Sequence, residues 1–269
     1  MTQRLFCSMV IAAALTLAAG RPGAAQTVAP DLVSAQRDSG ISGTSANLSA
    51  VEPTSKKLQP VCKPCLFYSG DSDSSNPDTN SLINGIFSAV PILAQVYSAF
   101  TVPSGRAWHV KGVFINTVNA IASVVVLDPS VTQWSIWADV GSGNPGELLF
   151  SGAGNATVTA TGRTVSGLTE YTVSVKLKTA IVLQPGTYWL NVTPQCTNPS
   201  DSACSSALFY ESDVEDVSPA NHVGPANVLD DSFINSTYFS FNYAHTWGGS
   251  GACGGIGCDA FSFGLIGTE

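Results

Sequence analysis

The stretch TEYTVSVKLK, at residues 169–178, alternates between apolar and polar side chains. Successive side chains of a β-strand point to opposite faces of its sheet, so such a strand has one apolar and one polar face. The apolar face here would consist of Tyr171, Val173, Val175 and Leu177. The stretch therefore predicts a strand that packs one side against a core and turns the other toward solvent.

The same period of two recurs along the chain from Gln95 onward. The alternating apolar sets are Trp134, Ile136, Ala138 and Val140; Tyr188, Leu190 and Val192; Phe239, Phe241 and Tyr243; and Phe261, Phe263 and Leu265. Turn sequences rich in Gly and Pro separate these sets at residues 103–105, 143–146, 184–186 and 248–251. We predict about ten short strands that form an all-β fold, an antiparallel two-sheet β-sandwich of jelly-roll-like or Greek-key topology.

Residues 1–25 have the features of a signal peptide. A basic residue precedes an apolar run at residues 9–19, and small residues provide a cleavage site before Gln26. The run is too short to span a bilayer, so we expect no membrane insertion after cleavage and an extracellular or periplasmic destination. Residues 26–60, rich in Ser, Ala, Thr and Pro, are expected to form a disordered leader or linker before a sandwich domain at residues 61–269.

The charge balance of the chain is acidic. It has 11 Lys and Arg against 19 Asp and Glu, a formal net charge of −8, and residues 1–25 contain two of the basic residues and none of the acidic ones. Nucleic acids and anionic membranes attract basic surfaces, so we expect neither as a partner. An extracellular glycan or an envelope protein is the expected class of partner.

Six cysteines remain after the signal peptide is removed, and an oxidising compartment would allow them to form disulfides. They are Cys62, Cys65, Cys196, Cys204, Cys253 and Cys258. Sequence alone does not select one pairing among the many that six cysteines allow. Their layout as three close pairs makes local bridging the simplest hypothesis.

Three further stretches resemble bacterial secreted β-sandwich domains of the "choice-of-anchor" kind, across roughly residues 95–267. WSIWAD at residues 134–139 with NPGELL at 144–149 is similar to a strand, turn and "PG-x-L-L" pattern of that family. LQPGTYWL at 183–190 and DAFSFGLIG at 259–267 resemble two of its other strands. The resemblance implies a sandwich fold and export, and it transfers no catalytic residue.

One acidic stretch is a candidate calcium site. Asp71, Asp73 and Asp78 lie in a polar segment, residues 71–80, which we predict to be a loop, and carboxylate oxygens are the ligands that calcium prefers. The EF-hand pattern is not met, because position six of such a loop would be Asn76 rather than Gly. Solvated acidic side chains without a metal are the alternative, so calcium is a candidate ligand and no other cofactor is predicted.

Two tryptophans are candidates for ligand binding. Trp137 falls on the polar face of its predicted strand, and Trp189 does so on another strand, beside Asn191. Aromatic rings among polar groups can stack on sugar faces while their neighbours bind hydroxyls. The alternative is that each ring packs beneath a loop.

No catalytic residue is assigned. Gly70, Asp71 and Ser72 resemble the nucleophile block of GDSL-type esterases, but neither His222 nor His245 has the preceding Asp that such enzymes use. We therefore favour a secreted, non-catalytic β-sandwich protein with an adhesive, scaffolding or ligand-binding role, with carbohydrate as the candidate ligand. The alternative is a secreted hydrolase that acts on glycans through acidic residues such as those at positions 211–216.

Overall fold

The structure of the chain is a computed structural model. It describes residues 62, 64–80, 82–87, 90–119, 127–165, 167–196, 209–214, 220–225, 232–237, 240–246 and 261–269. These residues form fourteen strands and no helix. The strands are β1 (Cys65–Tyr68), β2 (Ser72–Asn80), β3 (Leu82–Phe87), β4 (Val90–Val102), β5 (Trp108–Asn119), β6 (Leu127–Ala138), β7 (Glu147–Gly154), β8 (Ala156–Val165), β9 (Leu168–Leu183), β10 (Gly186–Cys196), β11 (Phe209–Val214), β12 (Phe233–Ser236), β13 (Phe241–His245) and β14 (Phe263–Thr268).

The first sheet has seven strands and is organised around β5. Strand β9 pairs along nearly all of β5, from Trp108 to Val118, and β8 pairs with β9. Because β9 occupies one edge of β5, strands β14 and β11 share the other edge, β14 beside its first part and β11 beside its end. Strand β1 lies beyond β14, and β2 lies beyond β11.

The second sheet also has seven strands, and β4 and β10 are its centre. Strand β10 pairs antiparallel with β4 on one side and with β6 on the other, and β7 follows β6. On the far side of β4 lie β12 and then β13, while β3 pairs with another part of β4. The sheet is antiparallel except for one parallel pair between β3 and β10.

The main core lies between the two sheets. It contains the inward side chains of both, which are Leu66, Phe67, Phe100, Val102, Trp108, Val110, Val113, Ile115, Ile136, Val173, Val175, Leu177, Leu183, Leu190, Val192, Phe263 and Leu265. Three of the four apolar residues of the stretch at 169–178 are among them. The predicted all-β fold of two antiparallel sheets packed face to face is therefore confirmed.

Two details of the predicted strands were wrong. The polar segment at residues 71–80, predicted as a loop, is mostly strand β2, which pairs with β11. The alternation at 134–140 also breaks, because β6 ends at Ala138 and Asp139 has a left-handed φ of 54°. That turn carries Val140 away from the main core and into the outer face of the second sheet.

The N-terminal predictions lie outside the described residues. The signal peptide at 1–25 and the leader at 26–60 therefore stay predictions, as does the boundary of the domain at 61–269. Within the part of the chain that the structure describes, there is no helix with the length and apolar character needed to cross a membrane.

Candidate functional site

The outer face of the second sheet, which points away from the first sheet, carries three rows of side chains. Each row crosses β10, β6 and β7 through directly paired residues. The rows are Trp189, Trp137 and Leu148; Asn191, Ser135 and Ser151; and Thr193, Gln133 and Ala153. Successive rows are two residues apart along β10 and β6, which corresponds to about 7 Å, whereas a bulge in the β6–β7 pairing places Leu148 three residues before Ser151. An apolar row thus lies beside rows of uncharged polar and small side chains.

The two candidate tryptophans, Trp137 and Trp189, are neighbours. They form a directly opposite pair between β6 and β10, which brings two side chains on one sheet face within about 5.5 Å at Cβ. Their exposure differs, however. Trp189 is 6% exposed and belongs to a small apolar cluster on this outer face, whereas Trp137 is only partly buried and packs against that cluster.

This apolar cluster, which we call the outer cluster, consists of Tyr97, Ala99, Val140, Trp189, Phe233 and Tyr243. Except for Val140, which follows β6, these residues lie in strands β4, β10, β12 and β13. Burial is the main reason that the pKa of Tyr97 lies far above its ordinary value, and the nearby hydroxyl of Tyr243 raises it further. The outer cluster is therefore a buried apolar layer that contains Trp189 and against which Trp137 packs.

The ring of Trp137 is held in place by two contacts. Its Nε1–H donates a hydrogen bond of 2.7 Å to Oγ of Ser135, and its ring meets that of Tyr97 edge-on, with centroids 5.8 Å apart and planes at 82°. A ring held in this way loses little conformational entropy when a ligand binds to it. Trp137 is therefore the aromatic side chain of this face best placed to meet a ligand.

An open groove of about 310 Å³ lies beside Trp137. It is lined by Gln95, Gln133, Trp134, Ser135, Trp137, Leu148, Ser151, Gly152, Ala153 and Asn191. The volume is at the small end of the range for ligand sites in proteins. None of these ten residues carries a charge.

Two of the polar residues of the groove are fixed by the protein itself. Asn191 is 1% exposed, and its Nδ2 donates to the carbonyl of Val96 at 2.8 Å while its Oδ1 accepts from Thr193 at 2.9 Å. Gln95 accepts a hydrogen bond of 3.2 Å from Tyr97 at Oε1, which leaves its amide N–H groups for a ligand. These bonds orient two amides at the groove before any ligand arrives.

The candidate calcium residue Asp71 is part of a different arrangement. It is 7% exposed, and its Oδ1 accepts from the Tyr68 hydroxyl at 2.7 Å and from Arg163 at 2.8 Å. Its Oδ2 accepts from Nδ2 of Asn221 at 2.8 Å. Both oxygens of this carboxylate are thus engaged by protein donors.

The other two candidate calcium residues, Asp73 and Asp78, lie in β2, but their side chains are outside the described part of the structure. Among the residues that are described, no three His, Cys, Asp or Glu side chains are grouped so as to hold a metal ion. The calcium site stays a prediction.

Arg163 is the centre of a buried polar network on the outer face of the first sheet. Besides Asp71, its guanidinium binds Oε2 of Glu170 at 2.6 Å and lies 3.4 Å from the Tyr68 hydroxyl. Burial by itself lowers the pKa of Arg163, but the acidic groups around it raise the pKa more, so the guanidinium stays charged. For Tyr68 burial is the largest cause and raises the pKa well above its ordinary value, despite the charge of Arg163. The guanidinium of Arg163 is thus bound to acceptors of the protein itself.

None of the acidic residues of the hydrolase alternative is among the described residues that line the groove. Glu211 lies in β11 of the first sheet and is 1% exposed, and Asp213 lies in the same strand. The remaining acidic residues of that segment, Glu215 and Asp216, fall outside the described residues.

One of the local cysteine pairs is present as predicted. Cys62 and Cys65 form a disulfide with Cα atoms 5.4 Å apart, at the start of β1. Cys196 ends β10, whereas Cys204, Cys253 and Cys258 lie outside the described residues, so their pairing stays a prediction.

Sequence reasoning missed three polar residues of the groove: Gln95, Gln133 and Ser151. Gln133 could have been found from the sequence, because it is four residues before Trp137 and therefore shares the same face of β6. Gln95 and Ser151 could not have been found in this way, because they belong to other strands, and the position of those strands beside β6 depends on the strand order of the sheet. Comparison of the chain with protein-family models, with curated proteins and with solved structures found no match.

Proposed function

We propose that this protein is a secreted, non-catalytic β-sandwich that binds carbohydrate in the groove beside Trp137. The observation that carries the proposal is the position of a partly exposed tryptophan next to uncharged amides and hydroxyls on a rigid sheet face. Binding sites on regular strands keep their geometry better than sites on loops.

The chemistry of a sugar ring matches these rows of side chains. One face of a pyranose presents C–H groups that stack on an aromatic ring, and its edge presents hydroxyls that both donate and accept hydrogen bonds. Trp137 offers the stacking surface, while Ser135, Gln133 and Ser151 occupy the adjoining rows. The spacing of about 7 Å between rows allows one ring to contact both kinds of side chain.

The hydrolase alternative receives no comparable support. A glycosidase of the common type needs two carboxyl groups that flank the scissile bond in one cleft. The described residues that line the groove include no carboxyl group, and Glu211 is buried in the other sheet. Binding without cleavage is therefore the proposal.

A glycan array probed with the purified protein tests this function, with calcium present and again with a chelator. We expect Trp137→Ala to weaken any specific binding at least about tenfold, which corresponds to 1.4 kcal/mol and is typical of a central aromatic contact. Trp137→Phe, which keeps a ring, should retain part of the binding, and Lys178→Ala on the first sheet should retain all of it. No binding to any glycan, or binding that Trp137→Ala leaves unchanged, would contradict the proposal.

Export is tested separately. We expect N-terminal sequencing of the protein recovered outside the cytoplasm to begin at Gln26. Recovery of the chain with residues 1–25 still attached would argue against a cleaved signal peptide.

A further inference from the structure

We infer that the groove selects neutral sugars over sugars that carry carboxylate or sulfate groups. This inference rests on the proposed carbohydrate-binding function and names the class of its ligand. The argument depends on the charges of the lining, on the charges around it and on the hydrogen-bonding groups that the protein leaves available.

Among the residues that the structure describes, the lining offers no cation to an acidic ligand. All ten residues around the groove are uncharged, and its polar side chains are three amides and two hydroxyls. An anionic group that leaves water for a site without a positive partner loses much of its hydration free energy. Sites that recognise carboxylates or phosphates in proteins usually provide Arg or Lys for this reason.

The charges beside the groove are unfavourable for an anion as well. Asp139, two residues after Trp137 in the turn that follows β6, is exposed, whereas Glu147 pairs with Ala138 and therefore lies on the sheet face opposite to Trp137. The whole chain has a net charge of −8. A negatively charged sugar is therefore disfavoured by the nearby Asp139 and by the net charge of the whole chain.

The available polar groups fit hydroxyls. Within the described residues, the side chains of Gln133 and Ser151 make no hydrogen bond with the rest of the protein, and both residues are exposed. Each of them can donate and accept, as a hydroxyl does. Together with the free N–H groups of Gln95, they offer a ligand a mixed set of donors and acceptors without charge.

The experiment measures binding of the full protein to immobilised neutral oligosaccharides and to acidic ones that contain uronic acids or sulfate, at low ionic strength. We expect the groove, identified by the loss of binding in Trp137→Ala, to bind neutral members. Gln133→Lys places one cation in the groove and should raise binding to acidic oligosaccharides relative to neutral ones by about two- to fivefold, the range of one exposed ion pair. Thr159→Lys adds the same charge on the first sheet and should leave the ratio unchanged.

The outcomes separate this inference from the function on which it rests. Binding that depends on Trp137 but is strongest for acidic oligosaccharides would overturn the neutral selectivity and leave carbohydrate binding intact. A Gln133→Lys variant whose ratio moves no more than that of Thr159→Lys would also overturn it. Absence of binding to both classes would overturn the proposed function itself.

Discussion

Replacing Arg163 with methionine should destabilise the fold far more than an ordinary change of a charged residue. The Arg163 side chain is 9% exposed and binds two carboxylates, those of Asp71 and Glu170, whose side chains are 9% and 0% exposed. Methionine keeps most of the apolar stem and its packing but removes the positive charge. Arg163→Met therefore isolates the effect of the ion pairs.

The loss of the Arg163 charge affects the two carboxylates unequally. Asp71 keeps its hydrogen bonds from Tyr68 and Asn221. Among the described residues, the carboxylate of Glu170 keeps one donor, the Thr161 hydroxyl at 2.8 Å from Oε2, and its buried Oε1 has no hydrogen-bond partner. Breaking a buried ion pair from one side typically costs about 3–5 kcal/mol, and we expect a loss of this size, mostly from Glu170.

Urea denaturation followed by circular dichroism measures the loss. With a slope of roughly 2 kcal/mol per molar urea, the expected decrease in the midpoint is about 1.5–2.5 M. The matched control is Arg106→Met, which breaks the ion pair with Glu269, whose two side chains are 56% and 51% exposed. That change should cost less than about 1 kcal/mol.

A double variant shows whether the unpaired charge is the cause. In Arg163→Met with Glu170→Gln, the buried carboxylate is replaced by a neutral amide, so we expect at least half of the lost stability to return. The argument for a buried ion-pair network is refuted if Arg163→Met costs no more stability than Arg106→Met. It is also refuted if the stability lost through Glu170→Gln simply adds to the stability lost through Arg163→Met.

Three further predictions concern stability. Burial raises the pKa of Tyr68 and Tyr97, so above pH 10 the unfolded chain releases phenolic protons that the folded chain keeps. We expect these two tyrosines to leave the free energy of unfolding unchanged below pH 10 and to lower it above pH 10 by about 1.4 kcal/mol per pH unit for each tyrosine. Denaturation on either side of pH 10 measures this. A slope near zero there would contradict the burial of both rings. Removing the Cys62–Cys65 disulfide by a double change to Ser should cost about 2 kcal/mol, because it closes a short loop, and an unchanged thermal midpoint would contradict this. Gly267→Ala should cost about 1–3 kcal/mol in the same melting experiment, since a Cβ there would collide with the backbone carbonyl of His109. Gly141→Ala, whose Cβ would meet open space, should be nearly neutral.

Strands that bury one face could be predicted from the chain, and the reason is physical. In β9, the side chains at residues 173–178 that alternate in polarity also alternate between core and exterior, so the pattern is a direct record of burial. Strand β2 lacked this record, because SDSSNPDTN has no apolar alternation. It is extended because its backbone pairs with β11, and backbone pairing leaves no pattern in the side chains.

The candidate site was predictable only in part. Trp137 and Trp189 could be placed on polar faces of their strands, but their difference in exposure depends on Tyr97, Phe233 and Tyr243, which come from β4, β12 and β13. In the same way, the ion pair of Asp71 with Arg163 could not be predicted, because the two residues are 92 positions apart in the sequence. Contacts between distant segments follow from strand order, which alternation does not encode.

The amino-acid sequence by itself determined that this protein is an antiparallel β-sandwich, because local alternation and turn residues select strands and their buried faces without reference to distant partners. Only the tertiary structure decided that Trp137 and Trp189 form a pair, that one of them is covered and the other borders a groove, and that neutral side chains of four strands line it. The physical reason is that burial of a face is a property of one strand, whereas a binding site is a property of the order and register in which several strands pair.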